Sequence, residues 1–491
     1  MQKLFALKKC TFCDNLHFFH AIYCVFHKKA LPLRQITEQN SAKLPNKSAP
    51  NYRIFKHHTK YQSLMKTYKN RIIEQLLSKK LAAKGAVLIE GPKWCGKTTT
   101  AEEFAASKVM LARTDVKDHF KNLLEIDTDA ALAGATPMLI DEWQTVPKLW
   151  DAVRYTVDHR QQMGQFILTG SAVPDREAEA AREHSGTGRF AWLTMRPMTL
   201  FESGESNGKV SLKGLFDTPN KILETNELKL TDIAFLICRG GWPMAIDLTE
   251  EAALEQAFDY YEAVTKEDIT RVDGIKRSSE RVQRLMKAYA RHQGTQASIA
   301  TIKEDLKTND ITTLDEDTIS SYLDALRKIF VIEDMPAWNP NLRSKTAIRT
   351  TDTRYFVDPS IATAALGLGP NDLLNDLNTM GFFFEALCVR DLRVYAEALN
   401  GKVYHYRDKN ELECDAVVHL RDGRYGLVEI KLGGESLISD GAKTLNQLEG
   451  LIDNTRMKSP AFKMVLTATG QHAYRRPEDG VYVIPIGCLK D

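Results

Sequence analysis

Residues 86–98 read Ala86-Val87-Leu88-Ile89-Glu90-Gly91-Pro92-Lys93-Trp94-Cys95-Gly96-Lys97-Thr98. The first four form an apolar run of strand character, and residues 91–98 fit G-x-x-x-x-G-K-[ST]. Thr99–Lys108 then reads as a helix. Strand, Gly-rich turn and helix in that order predict a phosphate loop. Its backbone N–H groups wrap phosphates, and the helix N-terminus adds a favourable dipole. Gly91, Pro92, Lys93, Trp94, Cys95 and Gly96 shape or line the loop, with Thr99 just beyond it. Lys97 reaches the β- and γ-phosphates, and the Thr98 hydroxyl binds Mg²⁺.

Such a loop predicts a second strand ending in an acid, and Pro137-Met138-Leu139-Ile140-Asp141-Glu142 supplies it. Asp141 is placed to hold the metal shell, and Glu142 to orient or deprotonate an attacking water. A third strand, Phe166-Ile167-Leu168-Thr169-Gly170-Ser171, ends in hydroxyls suited to sensing the terminal phosphate or the water; Thr169 and Ser171 are the candidates. An ordinary strand-to-turn exit would look the same. This order describes an α/β fold, a parallel sheet with helices on both faces and its ligand at the carboxyl ends of the strands. Phosphoryl transfer also needs a cation against the developing charge. Arg189 is the first candidate and Arg196 the second, and either can instead serve a structural ion pair.

With these residues in hand the sequence resembles a prokaryotic AAA-type ATPase family. The resemblance is carried by residues 88–98, Asp141-Glu142-Trp143-Gln144, Leu168-Thr169-Gly170-Ser171 and Arg196-Pro197-Met198-Thr199-Leu200-Phe201-Glu202, in that order, and it runs from about residue 65 to the end. Members carry a C-terminal domain of unknown function. The resemblance implies a P-loop NTPase core binding ATP and Mg²⁺, a winged-helix segment and a tail similar to restriction-endonuclease-like domains. It brings no biological role with it.

The 491 residues are enough for two to four domains, and 43% hydrophobic and 26% charged residues are globular values. No run of 18 apolar residues occurs, which argues against a membrane-spanning helix. Residues 1–64 hold eleven Lys or Arg against Asp14 and Glu38, a surplus of +9, so the rest stands at −7 against the overall +2. Bulk charge therefore gives no argument for strong non-specific DNA binding. Cys10, Cys13, Cys24 and His27 match the spacing of a small zinc site. The competing reading makes 1–64 a basic, disordered extension, dispensable or outside the native frame, with a natural start at Met65. The remaining cysteines, Cys95, Cys238, Cys388, Cys414 and Cys488, are scattered and odd in number, which fits a reducing cytoplasm rather than a disulfide framework.

The expected domains are 65–205 for the ATPase core, 206–270 for a linker and mostly helical lid, 271–360 for the winged helix and 361–491 for the C-terminal α/β domain. Val282, Leu285, Met286, Tyr289 and Ala290 fall at helical spacing, Asp317–Leu326 reads as a second helix, and Ile329–Asp334 as a strand. Arg343, Lys345, Arg349 and Arg354 sit in the wing that follows, either as DNA phosphate contacts or as a solvated edge.

Near the C-terminus, Glu385 lies in a helix-like stretch, Asp415 in a strand, and Glu429-Ile430-Lys431 ends another strand, so that Glu429 and Lys431 share a face. Asp415, Glu429 and Lys431 resemble the acidic, acidic and lysine positions of a PD-(D/E)xK nuclease core, with Glu385 as the acid on its first helix. Two carboxylates and a lysine there can make a second Mg²⁺ site, and a surface ion pair would give the same pattern. The function expected is an ATP-hydrolysing switch acting on DNA or an unidentified protein, in an oligomer if the arginine finger comes in trans. One alternative is a DNA-binding regulator in which ATP only sets conformation. Another is an ATP-gated, Mg²⁺-dependent nuclease of defence or mobile-element type.

Overall fold

A computed structural model describes residues 68–172, 185–218, 222–271, 275, 277–309, 314–340 and 348–491. The zinc reading at Cys10–His27 falls outside these residues. The first sheet is built from β1 (Ala86–Glu90), β2 (Ser107–Met110), β3 (Met138–Asp141), β4 (Phe166–Gly170) and β5 (Phe190–Thr194) in the order β2-β3-β4-β1-β5, all parallel. Side chains alternate across it as a two-residue period requires. Ala86, Leu88, Ile140 and Leu168 face one core, with Phe120 and Leu124 of α3 (Thr114–Ile126) and Trp150 and Val153 of α4 (Leu149–Arg160). Val87, Ile89, Leu139, Ile167 and Leu193 face the other, with Leu76 and Leu77 of α1 (Ile73–Ala83) and Ala101 of α2 (Lys97–Glu102).

The helix expected over Thr99–Lys108 is shorter. Helix α2 ends at Glu102, and Ser107–Met110 is the edge strand beside β3. Only one neighbour and little burial act on this strand, so its residues carry no alternating apolar signal.

The segment expected to be a linker contributes to the C-terminal domain. β6 (Val210–Ser211) pairs with the last strand, β14 (Leu489–Lys490), and β7 (Leu223–Thr225) adds an edge to the second sheet. Helices α5 (Leu230–Arg239) and α6 (Glu250–Ala263) follow, and a π-turn over Val264–Asp268 extends α6. Next come α7 (Ser279–Arg291), α8 (Ile299–Asn309) and α9 (Glu316–Lys328), whose N-terminus Asp315 caps by accepting from Thr318 N at 2.7 Å. The strand expected at Ile329–Asp334 is reduced to isolated bridges, Ile332 to Phe356 and Met335 to Thr353. Phe330 stands at φ 59° and turns the chain before a strand can start.

Helices α10 (Pro359–Leu366) and α11 (Leu377–Ala398) lead into β8 (Gly401–Arg407), β9 (Glu413–Leu420), β10 (Tyr425–Lys431), α12 (Glu435–Leu451), β11 (Phe462–Thr467), β12 (His472–Arg475) and β13 (Tyr482–Pro485). The sheet order is β7-β12-β13-β11-β10-β9-β8, with β9 antiparallel and β11 parallel to β10. Val403, Val418, Val428 and Leu466 share the α11 side, whereas Val417, Leu427 and Val465 share the side of Leu445 and Leu448 in α12. The α11-side core runs without a break through α5–α10 to Leu200 and Ile72. The middle and C-terminal segments therefore share one interior. Among the described residues no helix is long and apolar enough to cross a membrane.

Candidate nucleotide site

Inserting β4 between β1 and β3 brings three strand ends together. Ile89 and Asp141 both stand in register with Thr169. The chain then leaves β1 through Gly91 at φ 152° and re-enters helix through Gly96 at φ 99°. A Cβ at Gly91 would lie 2.1 Å from the Met195 carbonyl oxygen, so only glycine lets the loop pass β5 this closely. Pro92 and Cys95 are buried, Lys93 is half-buried, and Trp94 and Thr99 are exposed. Lys97 is buried and donates from Nζ to the Gly91 and Pro92 carbonyls at 2.9 and 2.7 Å.

Asp141 collects two hydroxyls on one oxygen. Thr98 Oγ1 and Thr169 Oγ1 each donate to Asp141 Oδ1 at 2.6 Å. Glu142 follows with φ 56° and ψ 44°, a left-handed conformation uncommon for a non-glycine residue and typical of functional turns. Its carboxylate accepts from Ser171 Oγ at 3.2 Å and from Gln144 Nε2 at 2.5 Å. The side-chain amide oxygen Oε1 of Gln144 is buried without a hydrogen-bond partner, an acceptor left over beside the acid. A threonine hydroxyl and a carboxylate at this spacing are an oxygen donor set that fits Mg²⁺.

The two candidate cations lie elsewhere in the chain's own fold. Arg189 immediately precedes β5, and its carbonyl accepts from Ala86 N at the opposite end of the sheet from the loop. Its side chain pairs with Asp158 at 2.7 Å. Arg196 is held by Glu333 and Glu397 at 2.6 and 2.7 Å. Burial lowers its pKa, but the two carboxylates outweigh this and the net shift is upward. Glu333 is in turn held down at about 2: burial raises it, and Arg196 and Arg393 overcome that. Neither arginine reaches the loop, because each is committed to an ion pair.

Sequence reasoning missed the residue that grips the loop from behind. Arg71 donates from Nη1 to the Cys95 carbonyl at 2.7 Å, from Nη2 to the Arg196 carbonyl at 2.8 Å and from Nε to Glu202 at 3.0 Å. Glu202 also accepts from Ile72 N and Thr199 N, each at 2.8 Å, closing a capping box with Thr199. The Arg196–Glu202 motif is thus a brace for the phosphate loop. Arg71 carried no local signal, since its partner lies 131 residues on.

The four C-terminal residues also meet. Lys431 Nζ lies 2.6 Å from Glu429 and 3.1 Å from Asp415, and Asp415 accepts from Ile430 N at 2.7 Å. Glu385 accepts from the Tyr355 hydroxyl. Burial, with Asp415 adding to it, pushes the Glu429 carboxyl up to about 8 and Glu385 well above the carboxylate range. The Lys431 ammonium fills the position between the carboxylates. Among the described residues no group of three or more His, Cys, Asp or Glu side chains is disposed to hold a metal ion. As arranged, the cluster does not fit the expected second Mg²⁺ site.

In the wing, Arg354 is buried on Asp334 at 2.9 Å, and Arg349 pairs with Glu411. Arg354 therefore does not decorate the wing surface as expected. Arg343 and Lys345 lie outside the described residues.

Residues 83–203 match the model of a family described as AAA domain. The chain carries an AAA-type P-loop domain. Residues 230–372 and 380–489 match two further models, each described as a domain of unknown function (DUF8612 and DUF4143). Uncharacterized proteins of Mycobacterium bovis and Mycobacterium tuberculosis are each 24% identical over 347 residues, 70% of this chain and 70% of theirs. A Walker-type ATPase of Pyrococcus abyssi overlaps 60% of this chain and 94% of its own, at 15% identity and a TM-score of 0.37.

Proposed function

We propose that the chain is an ATP-hydrolysing, Mg²⁺-dependent molecular switch. The observation that carries this is the convergence of Thr98 and Thr169 on one oxygen of Asp141, with Glu142 hydrogen-bonded beside them. The loop's N–H groups cradle the phosphates, and Lys97 swings from the Gly91 and Pro92 carbonyls to them. Thr98 and Asp141 would hold Mg²⁺, which would supply positive charge against the β- and γ-phosphates. Glu142, oriented by Ser171 and Gln144, takes the proton of the attacking water. Thr169 reports the state of Asp141 along β4.

The α11-β8-β9-β10-α12-β11 order supports a nuclease-like architecture for the C-terminal domain. Three helices followed by two bridges support a winged-helix segment at 271–360. With Lys431 spanning both carboxylates and the described wing cations engaged, neither segment is assigned DNA cleavage or DNA binding.

The test is equilibrium ATP binding to the full chain with and without Mg²⁺. Mg²⁺ is expected to tighten binding in the wild type and to lose that effect in Asp141→Asn and Thr98→Val. Mg²⁺ dependence unchanged in both variants would remove these residues from the metal shell.

A further inference from the structure

We propose that Lys93 and Asp268 form a triphosphate-discriminating pair, in which Asp268 contests the ammonium that would otherwise bind the terminal phosphate. This inference rests on the phosphate-loop reading above. The loop carries two lysines with opposite commitments. Lys97 folds onto the loop's own carbonyls, whereas Lys93 reaches outward to Asp268, 2.5 Å away. Asp268 is the last residue of the π-turn that extends α6. Such turns shift the side chains beyond them by one position and recur at functional sites. Here the turn presents a carboxylate whose side chain is 11% exposed to a lysine that is 43% exposed.

The position of the pair decides its role. Lys93 and Asp268 line a cleft of about 300 Å³ together with Glu142, Gln144 and Ser171. They stand on the side of the loop where Glu142 addresses its water, which is the side of the terminal phosphate. On the other flank they line a second cleft with Asp259, Glu262, Lys266 and Glu267, where Lys266 pairs with Glu262 at 2.6 Å, so the approach keeps an acidic surplus. A terminal phosphate in the first cleft and the Asp268 carboxylate cannot both hold one ammonium without like-charge repulsion at close range. A diphosphate does not extend to the contested place. Asp268 therefore weakens triphosphate binding selectively, and Lys93 strengthens it selectively. Exchange of partners also frees Asp268 from the core. Tyr260, about two turns upstream in α6, stacks on Trp242 at 4.2 Å and meets Trp94 edge-on at 5.8 Å. Ile329, at the end of α9, lines the same cleft. Tyr260 and Ile329 thus border the cleft that the pair lines.

The experiment is calorimetric titration of the full chain with Mg²⁺ and either a non-hydrolysable β,γ-imido ATP analogue or ADP. Partly exposed ion pairs are weak, so Asp268→Asn is expected to tighten the analogue about three- to fivefold. Lys93→Met removes a charge-assisted phosphate contact and is expected to weaken it about tenfold or more. ADP affinity is expected to stay within about twofold in both variants, because the pair acts only on the terminal phosphate. Equal effects on the analogue and ADP, or no effect on either, would overturn the inference and leave the pair as a tie between the π-turn and the phosphate loop. Failure of the wild type to bind either nucleotide would overturn the phosphate-loop reading, and this inference with it.

Discussion

Arg71→Met removes the cation that braces the phosphate loop, and the structure gives the scale of the loss. The Arg71 and Glu202 side chains are 4% and 1% exposed, so the variant leaves a buried carboxylate without its counter-charge. Breaking a buried pair on one side costs about 3–5 kcal/mol. Glu202 keeps two backbone donors, Ile72 N and Thr199 N, which places the loss near the lower figure. The Cys95 and Arg196 carbonyls also lose charged donors. Arg71→Met/Glu202→Gln removes both charges and is expected to recover about 1 kcal/mol of the loss, because the uncompensated charge is gone while one of the two backbone donors, Ile72 N or Thr199 N, loses its acceptor to the glutamine NH2. The assay is urea unfolding of the full chain followed by tryptophan fluorescence, since Trp143 and Trp150 lie in the core of the P-loop sheet. ATP affinity is measured on the folded variants and is expected to fall in the single variant, where the Cys95 carbonyl is no longer held. A loss below about 1 kcal/mol in Arg71→Met, or a double variant no more stable than the single, would refute the reasoning.

Gly91→Ala places a Cβ 2.1 Å from the Met195 carbonyl at a backbone angle that side chains rarely adopt, so ATP binding is expected to disappear while the rest of the chain still folds. Calorimetry beside circular dichroism checks both parts. Glu333 is held at about 2 against an ordinary 4.5, so it binds fewer protons in the folded than in the unfolded state at acid pH. Its contribution is present above 4.5 and lost as pH falls towards 2, with an upper bound of about 3 kcal/mol at ~1.4 kcal/mol per decade. Stability measured between pH 5 and 3 should therefore fall less steeply in Glu333→Gln than in the wild type. Duplex DNA incubated with the full chain and Mn²⁺ is expected to stay intact, because Lys431 engages both carboxylates. Cleavage that vanishes in Lys431→Ala would restore the nuclease reading.

The parts of the site that were legible in the sequence are those fixed by local chain geometry. Gly91 through Thr98 and the acids closing β3 carry their meaning in spacing alone, and the structure brings Thr98, Asp141, Glu142, Thr169 and Ser171 together. A buried parallel sheet also writes its strands as apolar runs, and β1, β3 and β4 were readable for that reason. The half-exposed edge strand β2 was not, and its residues were absorbed into a helix. Long-range partners were equally silent. Nothing near Arg71 announces Glu202, and nothing near Leu223 announces pairing with β12. Arg189 and Arg354 show the converse: a cation in the right stretch of sequence carries no information about which end of a sheet, or which side of a hairpin, it will occupy.

The measurement that bears most directly on the central claim is steady-state ATP turnover by the full chain with Mg²⁺, beside Glu142→Gln. If Glu142 serves as general base, the variant should bind ATP at least as tightly as the wild type and turn over about 10²–10⁴-fold more slowly. Equal turnover in the two proteins would contradict the account and move the chemistry away from the Asp141–Glu142 strand end.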